Sequence, residues 1–119
     1  MEEQIKKETQ KLIAIIMEAE RLPENPSTTD AYYTIAQRIL SQRAYMTGLM
    51  TRAEQSYELR KLQLRTEKKL SIAAAENEAK TEEVYALYQN IKHAVSTAEE
   101  EVMLLKKWLG VRDTEYKQN

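Results

Sequence analysis

Residues 32–57 read YYTIAQRILSQRAYMTGLMTRAEQSY, and side chains spaced alternately four and three positions apart in this stretch share one helical face. That face holds Tyr32, Ala36, Ile39, Arg43, Met46, Met50, Ala53 and Tyr57. A second stretch repeats the spacing with Val84, Tyr88, Ile91, Val95, Ala98, Val102, Leu105 and Leu109. Such spacing keeps an apolar seam turned toward a partner helix in a left-handed coiled coil. The sequence therefore predicts an all-α protein built on two long packed helices.

The composition agrees with one helical domain. The 119 residues include two glycines, two prolines and 31% charged side chains, which together with a heptad pattern is typical of coiled coils. Cysteine is absent, which excludes disulfides, thiolate metal ligands and a cysteine nucleophile. The apolar run from Ile13 to Met17 is too short for a membrane span and lacks the layout of a signal peptide. We expect a cytoplasmic protein without membrane contact.

Proline and glycine positions divide this domain, residues 1–119, into segments. Helical spacing of apolar side chains predicts a first helix over 1–21, which Pro23 and Pro26 end because proline lacks the amide donor. A linker follows at 22–29, then a helical hairpin over 30–109, then a polar tail over 110–119 after a C-cap at Gly110. We thus predict three helices, the second and third forming a long antiparallel coiled-coil hairpin.

The reversal of this hairpin is predicted within residues 71–82, with the third helix running from about Thr81 to Leu109. Between the two apolar stripes, the seam positions hold Arg60, Glu67, Ser71 and Glu78, which pack poorly in a coiled coil. Ser71, Asn77 and Thr81 are candidate N-caps for the third helix. A continuous rod of roughly 120 Å, at about 1.5 Å per residue, is the alternative, since no glycine marks the turn.

Few residues suit catalysis or metal binding. His93 is the only histidine, so a histidine-based metal site or catalytic triad lacks partners. The adjacent carboxylates of Glu99, Glu100 and Glu101 do not share a helical face, which favours a solvated acidic surface. The sequence contains no glycine-rich phosphate loop. We therefore predict a non-catalytic protein with no cofactor and no bound metal.

Charge is distributed unevenly, although the net charge is −1. Residues 30–70 carry eight basic and four acidic side chains, whereas residues 71–105 carry two basic and seven acidic ones. Five cations fall within ten residues and form what we name the basic segment: Arg60, Lys61, Arg65, Lys68 and Lys69. Such a stripe can follow a phosphate backbone, and Tyr57, one turn before Lys61, can stack on a base. The alternative is a solvated flank that faces the acids of the third helix.

The apolar stripes also predict an association surface, because a thin hairpin buries less area per residue than a compact globule. We expect a homo-oligomer whose packing surface contains Tyr32, Ile39, Met46, Met50, Tyr57, Val84, Tyr88, Ile91, Val95, Val102, Leu105, Trp108 and Leu109. Arg43 interrupts the first stripe, where it either fixes the register or extends its charged head to water. Trp108 either anchors a subunit contact or covers the open end of the hairpin.

One local pattern resembles a known family. The run Leu64-Arg65-Thr66-Glu67 is followed by Lys68 and Lys69, a polar stretch, and a heptad helix with a basic tail. This arrangement, over roughly residues 32–117, is similar to the recombination mediator proteins of T4-like phages. The resemblance implies a helical protein that forms oligomeric rings, binds single-stranded DNA and loads a recombinase onto strands coated by single-strand-binding protein. The DNA-contact motif of that family falls near residues 74–77, which hold no basic side chain, so no contact residue carries over.

Two functions are open on this basis. The first is a phage-type accessory protein of DNA recombination, which binds single-stranded DNA through the basic segment and has a recombinase or single-strand-binding protein as partner. The second is a coiled-coil protein-interaction module, acting as an adaptor, a virion component or an inhibitor of a host protein, with no affinity for nucleic acid. Salt-dependent binding of single-stranded DNA distinguishes them.

Overall fold

A computed structural model describes residues 1–22 and 29–118, and the side chains of 1–22 and 29–108. Within these residues the chain forms four helices and no strand: α1 (Glu2–Arg21), α2 (Thr29–Glu67), α3 (Ile72–Ala79) and α4 (Glu83–Gln118). The all-α prediction is confirmed. The three-helix prediction is wrong, because the short helix α3 lies between the two long ones. Most of the predicted linker, including both prolines, lies outside the described residues.

The chain breaks between α2 and α3 without a glycine or a proline. α2 ends at Glu67, and Lys69 takes a left-handed backbone conformation with φ of 55°. Ser71 caps α3, since its hydroxyl accepts a hydrogen bond from the amide three residues later at 3.1 Å. Leu70, just before the cap, packs in the same apolar cluster as Ala75, as in a hydrophobic staple. The cap and staple offset the roughly 1–2 kcal/mol that a left-handed residue with a side chain costs.

The final helix is longer than predicted. α4 begins at Glu83, continues through Gly110 and ends at Gln118, so Gly110 is not a C-cap and the predicted tail is helical. An interior glycine costs only about 1 kcal/mol relative to alanine. No proline follows Gly110 in the sequence, so nothing removes a backbone donor from the last turns.

α2 and α4 run antiparallel and side by side. Ion pairs join Arg43 to Glu99 (3.8 Å) and Arg60 to Glu82 (2.6 Å), so the residue number rises along one helix as it falls along the other. The molecule measures 69 × 25 × 19 Å, far short of the roughly 120 Å of a continuous rod. The reversal begins earlier than predicted, at the end of α2, and occupies the whole of α3.

α1 lies antiparallel to α2 and is held to it by polar contacts. The buried carboxylate of Glu8 (6% exposed) accepts a hydrogen bond from the Gln42 amide at 2.8 Å and pairs with Lys11 at 3.3 Å. The hydrogen bond from Gln42 lowers the pKa of Glu8, so this side chain is ionised at neutral pH. Glu18 pairs with Arg38 nearer the other end of α1.

Two apolar clusters stabilise the bundle. The main core joins α1, α2 and α4 through Ile5, Leu12, Ala19, Tyr32, Ile35, Ile39, Met46, Leu49, Ala53, Ile91, Ala94, Val95, Ala98, Val102 and Leu105. A smaller one, which we name the tip cluster, contains Tyr57, Leu64, Ala75 and Ala79, where α2, α3 and the start of α4 meet.

In the seam of α2, Ile35 and Leu49 are buried, whereas the predicted Ala36 and Met50 are only half-buried. The buried face is rotated because α1 packs on one side of α2.

Candidate functional site

The basic segment lies on the last two turns of α2 and in the turn that follows, beside the acids of α3 and the start of α4. The Arg60 guanidinium donates two hydrogen bonds to the Glu82 carboxylate, at 2.6 and 3.1 Å. These bonds raise the pKa of Arg60 and lower that of Glu82. Such a two-point contact is among the stronger pairings of charged side chains. Arg60 is thus engaged within its own chain.

Two lysines of the basic segment are paired as well. Lys61 lies 2.9 Å from Glu58, and this contact raises the pKa of Lys61. Its ammonium also sits 4.7 Å from the centre of the Tyr57 ring, within the range of a cation–π contact. Lys68 lies 2.6 Å from Glu78 of α3. With Arg60, three of the five predicted cations are balanced by carboxylates of the same chain.

The other two cations, Arg65 and Lys69, are exposed and have no ion pair with any side chain that the structure describes. Arg65 lies one turn after Lys61, and Lys69 occupies the left-handed position that ends α2. The structure therefore reduces the free positive charge of the basic segment from five predicted groups to two.

Tyr57 does not have the position that base stacking requires. Its side chain is 5% exposed, and its ring lies 5.1 Å from the Tyr85 ring and 6.0 Å from the Tyr88 ring, measured between centres. Burial raises the pKa of its hydroxyl. Tyr57 is a core residue of the tip cluster, and in this conformation its ring packs against protein and is not open to a base.

Most of the predicted packing surface is buried inside the single chain. Tyr32, Ile39, Met46, Tyr57, Ile91, Val95, Val102 and Leu105 are buried, and Met50, Val84 and Tyr88 are half-buried. Trp108 is 42% exposed, and the side chain of Leu109 lies outside the described residues. Arg43 extends to the surface and pairs with Glu99. Most of the described stripe residues therefore pack helices of one molecule together.

A group of exposed aliphatic residues lies next to the basic segment. Leu59, Leu62 and Ile72, which we name the aliphatic patch, are 55%, 57% and 66% exposed. Leu62 and Ile72 line a notch of about 260 Å³ between α2 and α3, together with Glu58, Lys61, Arg65 and Glu76. Sequence reasoning missed this patch because it followed only the core stripe of α2. The available signal was the pair Leu59 and Leu62, three positions apart and off that stripe.

Other kinds of site find little support in the described part of the chain. No group of three or more histidine, aspartate or glutamate side chains there is arranged to hold a metal ion. Nor does any helix in these residues combine the length and apolar character needed to cross a membrane.

No protein-family model matches the sequence, and the searches of curated proteins and solved structures gave no significant match.

Proposed function

We propose that this protein is a non-catalytic helical module that binds another protein through the end of the molecule where α2, α3 and the start of α4 meet. One observation carries the proposal. Three large aliphatic side chains are exposed together beside a notch, while most of the neighbouring charges are neutralised within the chain. Clustered apolar side chains on a protein surface mark interaction sites more often than isolated ones do.

The charge balance supports a protein partner over a nucleic acid. Binding to phosphates draws its free energy from cations that release counterions, so a cation already paired with a carboxylate contributes little. For Arg60 and Lys68 to bind phosphates, Glu82 and Glu78 would have to be displaced first. The apolar side chains next to these cations are aliphatic and offer no aromatic face to a base.

We also propose that α2 and α4 form an antiparallel coiled coil. The buried side chains of α4 support it, because Ile91, Val95, Ala98, Val102 and Leu105 keep the alternating steps of four and three residues. If the protein forms a homo-oligomer, we expect the contact to use other surfaces, since most of the described side chains of these stripes are packed within one chain.

A site-specific photo-crosslinking experiment tests the proposed function. A benzophenone-bearing amino acid is placed at Leu62, in the patch, or at Glu100, an exposed control position on α4, in cells that produce the protein. We expect one discrete crosslinked product at position 62 with a protein that mass spectrometry identifies, and no such product at position 100. No product at position 62, or the same product at both positions, would overturn the proposal.

The second candidate is a DNA-binding accessory protein, which the unpaired Arg65 and Lys69 favour. It is tested by fluorescence anisotropy of labelled oligo-dT at two salt concentrations. Tight binding that weakens steeply with salt and is lost in Arg65→Glu, but not in the exposed control Arg52→Glu, would establish it and justify assays of recombinase loading. Absence of binding at low salt would eliminate it.

A further inference from the structure

We infer that the aliphatic patch, with Arg65 and Lys69, is the docking surface for a protein segment that carries acidic side chains next to apolar ones. This inference rests on the proposed function and adds the chemistry of the partner. Three features carry it: the exposed aliphatic side chains, the notch between α2 and α3, and the charge left over around the notch.

The apolar part of the surface is built by two helices. Leu59 and Leu62 lie one turn apart on α2, and Ile72 is the first residue of α3, so the α2–α3 turn brings it opposite Leu62. Each of the three side chains is more than half exposed. Because Leu62 and Ile72 form two walls of a concave notch, an apolar side chain of a partner can enter between them and lose contact with water on both sides.

The acids that line the notch do not determine its net charge. Glu58 is paired with Lys61 at 2.9 Å, and Glu76 is paired with Lys80 at 3.3 Å. Each carboxylate is therefore balanced by a lysine of the same chain. Among the described side chains, Arg65 and Lys69 leave two unpaired positive charges in this region against the one unpaired carboxylate of Glu67, so the charge that remains is positive.

Arg65 and Lys69 supply this remaining charge. Arg65 lines the notch itself, and Lys69 follows four residues later, in the turn just after α2. Neither has an ion pair with a described side chain. A carboxylate of the partner can pair with the Arg65 guanidinium at two points, which gives direction as well as attraction. Complementarity thus requires an acidic partner with at least one apolar anchor.

The shape of the surface favours a protein segment over a lipid bilayer. A notch of about 260 Å³ admits single side chains, whereas a bilayer surface contacts projecting side chains and leaves a concave site unfilled. The binding of anionic lipid vesicles is therefore a competing outcome of the experiment and does not support the inference.

The test measures binding of synthetic peptides to the full-length protein. The probes are fluorescein-labelled peptides in which glutamates alternate with leucines at several spacings. One matched set has serine in place of leucine, and another has lysine in place of glutamate. Anisotropy gives the affinity, and NMR spectra of the labelled protein show which methyl groups are perturbed. We expect binding by the first set alone, with the largest shifts at Leu62 and Ile72.

Variants then locate the site. Leu62→Ser and Ile72→Ser remove apolar contacts, and Arg65→Glu reverses a free charge; each should weaken peptide binding about tenfold or more, the loss expected for a central interface residue. The controls are Leu104→Ser and Arg52→Glu, which change exposed residues of the same types elsewhere. All five positions are exposed, so the variants should remain folded, and circular dichroism checks this.

Several results would overturn the inference. The first is equal binding of the serine-containing and leucine-containing peptides. The second is an equal loss of peptide affinity in the control variants and in the variants at the patch. The third is stronger binding to vesicles of phosphatidylserine and phosphatidylcholine than to any peptide. If crosslinking at position 62 identifies a protein partner but no acidic peptide binds, the partner chemistry is wrong and the proposed function stands. If crosslinking at position 62 fails, the proposed function itself is wrong.

Discussion

Two leucines two residues apart on α2 provide a direct test of how the tip cluster is held together. Leu64 is 1% exposed and packs against Ala75 and Ala79 of α3, whereas Leu62 is 57% exposed. The two positions share a helix and a residue type and differ mainly in burial. Replacing each with alanine therefore separates the contribution of packing from that of helix propensity, which is the same for both substitutions.

The expected difference between the two variants follows from this burial. Truncating a fully buried leucine costs about 2–5 kcal/mol, and the cost is smaller where the surroundings relax into the cavity. The half-buried Leu70 and Tyr85 lie against the tip cluster and leave room for such relaxation. We expect Leu64→Ala to lower the free energy of unfolding by about 2–3 kcal/mol, and Leu62→Ala to change it by less than about 0.5 kcal/mol.

Urea denaturation followed by circular dichroism measures both values. With a slope of about 2 kcal/mol per molar urea, the midpoint of Leu64→Ala should fall by about 1 M or more, while that of Leu62→Ala stays close to the unchanged protein. Before unfolding, the circular dichroism signal of both variants should match that of the unchanged protein, except for the loss of at most a few helical residues in α3. Equal midpoints for the two variants would refute the assignment of Leu64 to a packed core, and with it the docking of α3 onto α2.

Three further substitutions test other parts of the structure. Gln42→Ala should cost about 1.5–3 kcal/mol at neutral pH, because it removes the amide that stabilises buried, ionised Glu8. Since the pKa of Glu8 is lowered in the folded state, the part of this cost that comes from the carboxylate is complete above pH 4.5 and is lost as the pH falls through the folded pKa, whereas the bond from Gln42 to the Glu8 carbonyl oxygen at 2.9 Å does not depend on pH; an equal penalty in acid and at neutral pH would contradict this. Glu101→Gln should raise the urea midpoint at neutral pH, because burial and the nearby Glu20 raise the pKa of Glu101 and make its charge unfavourable in the folded state. That gain should disappear as the pH falls below 4.5, where both states are protonated, and a pH-independent gain would exclude a charge effect. Gly48→Ala should stabilise α2 by about 1 kcal/mol, since no neighbouring atom lies within 4 Å of the added carbon; a lower melting temperature would show an unexpected clash.

The long helices were predictable because their signals are local. The predicted first helix over 1–21 corresponds to α1, and α2 begins at Thr29, one residue before the predicted start of the hairpin at residue 30. Side-chain spacing and proline positions carry this information without knowledge of the fold. The burial of Ile35 and Leu49 was not predictable in the same way, because it depends on where α1 packs.

The end of α2 was missed for a different reason. Chain reversals are recognised in a sequence by glycine, proline or asparagine, and here a lysine takes the left-handed conformation. Ser71 was recognised as a candidate cap, but it caps the short α3 and not the long helix that follows. The Ser71 cap is local to α3, whereas the packing of Leu70 against the tip cluster requires α3 to be docked.

The candidate site shows the same division between local and tertiary information. The five cations of the basic segment were visible in the sequence, as was Glu58 three positions before Lys61, but the pairings with Glu78 and Glu82 depend on the structure. Glu78 and Glu82 reach the basic segment only because α3 and α4 fold back on α2. The exposed Leu62 and Ile72 form one surface for the same reason, ten positions apart in sequence.

The order of the helices also has a kinetic consequence. α2 and α4 are joined by fifteen residues, so their pairing closes a short loop, and α1 pairs with the helix that follows it. Chains dominated by such neighbouring contacts have low contact order and fold in microseconds to milliseconds. The seam between α1 and α4 has no short connection of its own, because α2 and α3 lie between these helices in the chain; it brings Glu83 to Glu2, and their contact raises the pKa of Glu83. The bundle should therefore close this seam last, when α1 and the hairpin are already formed.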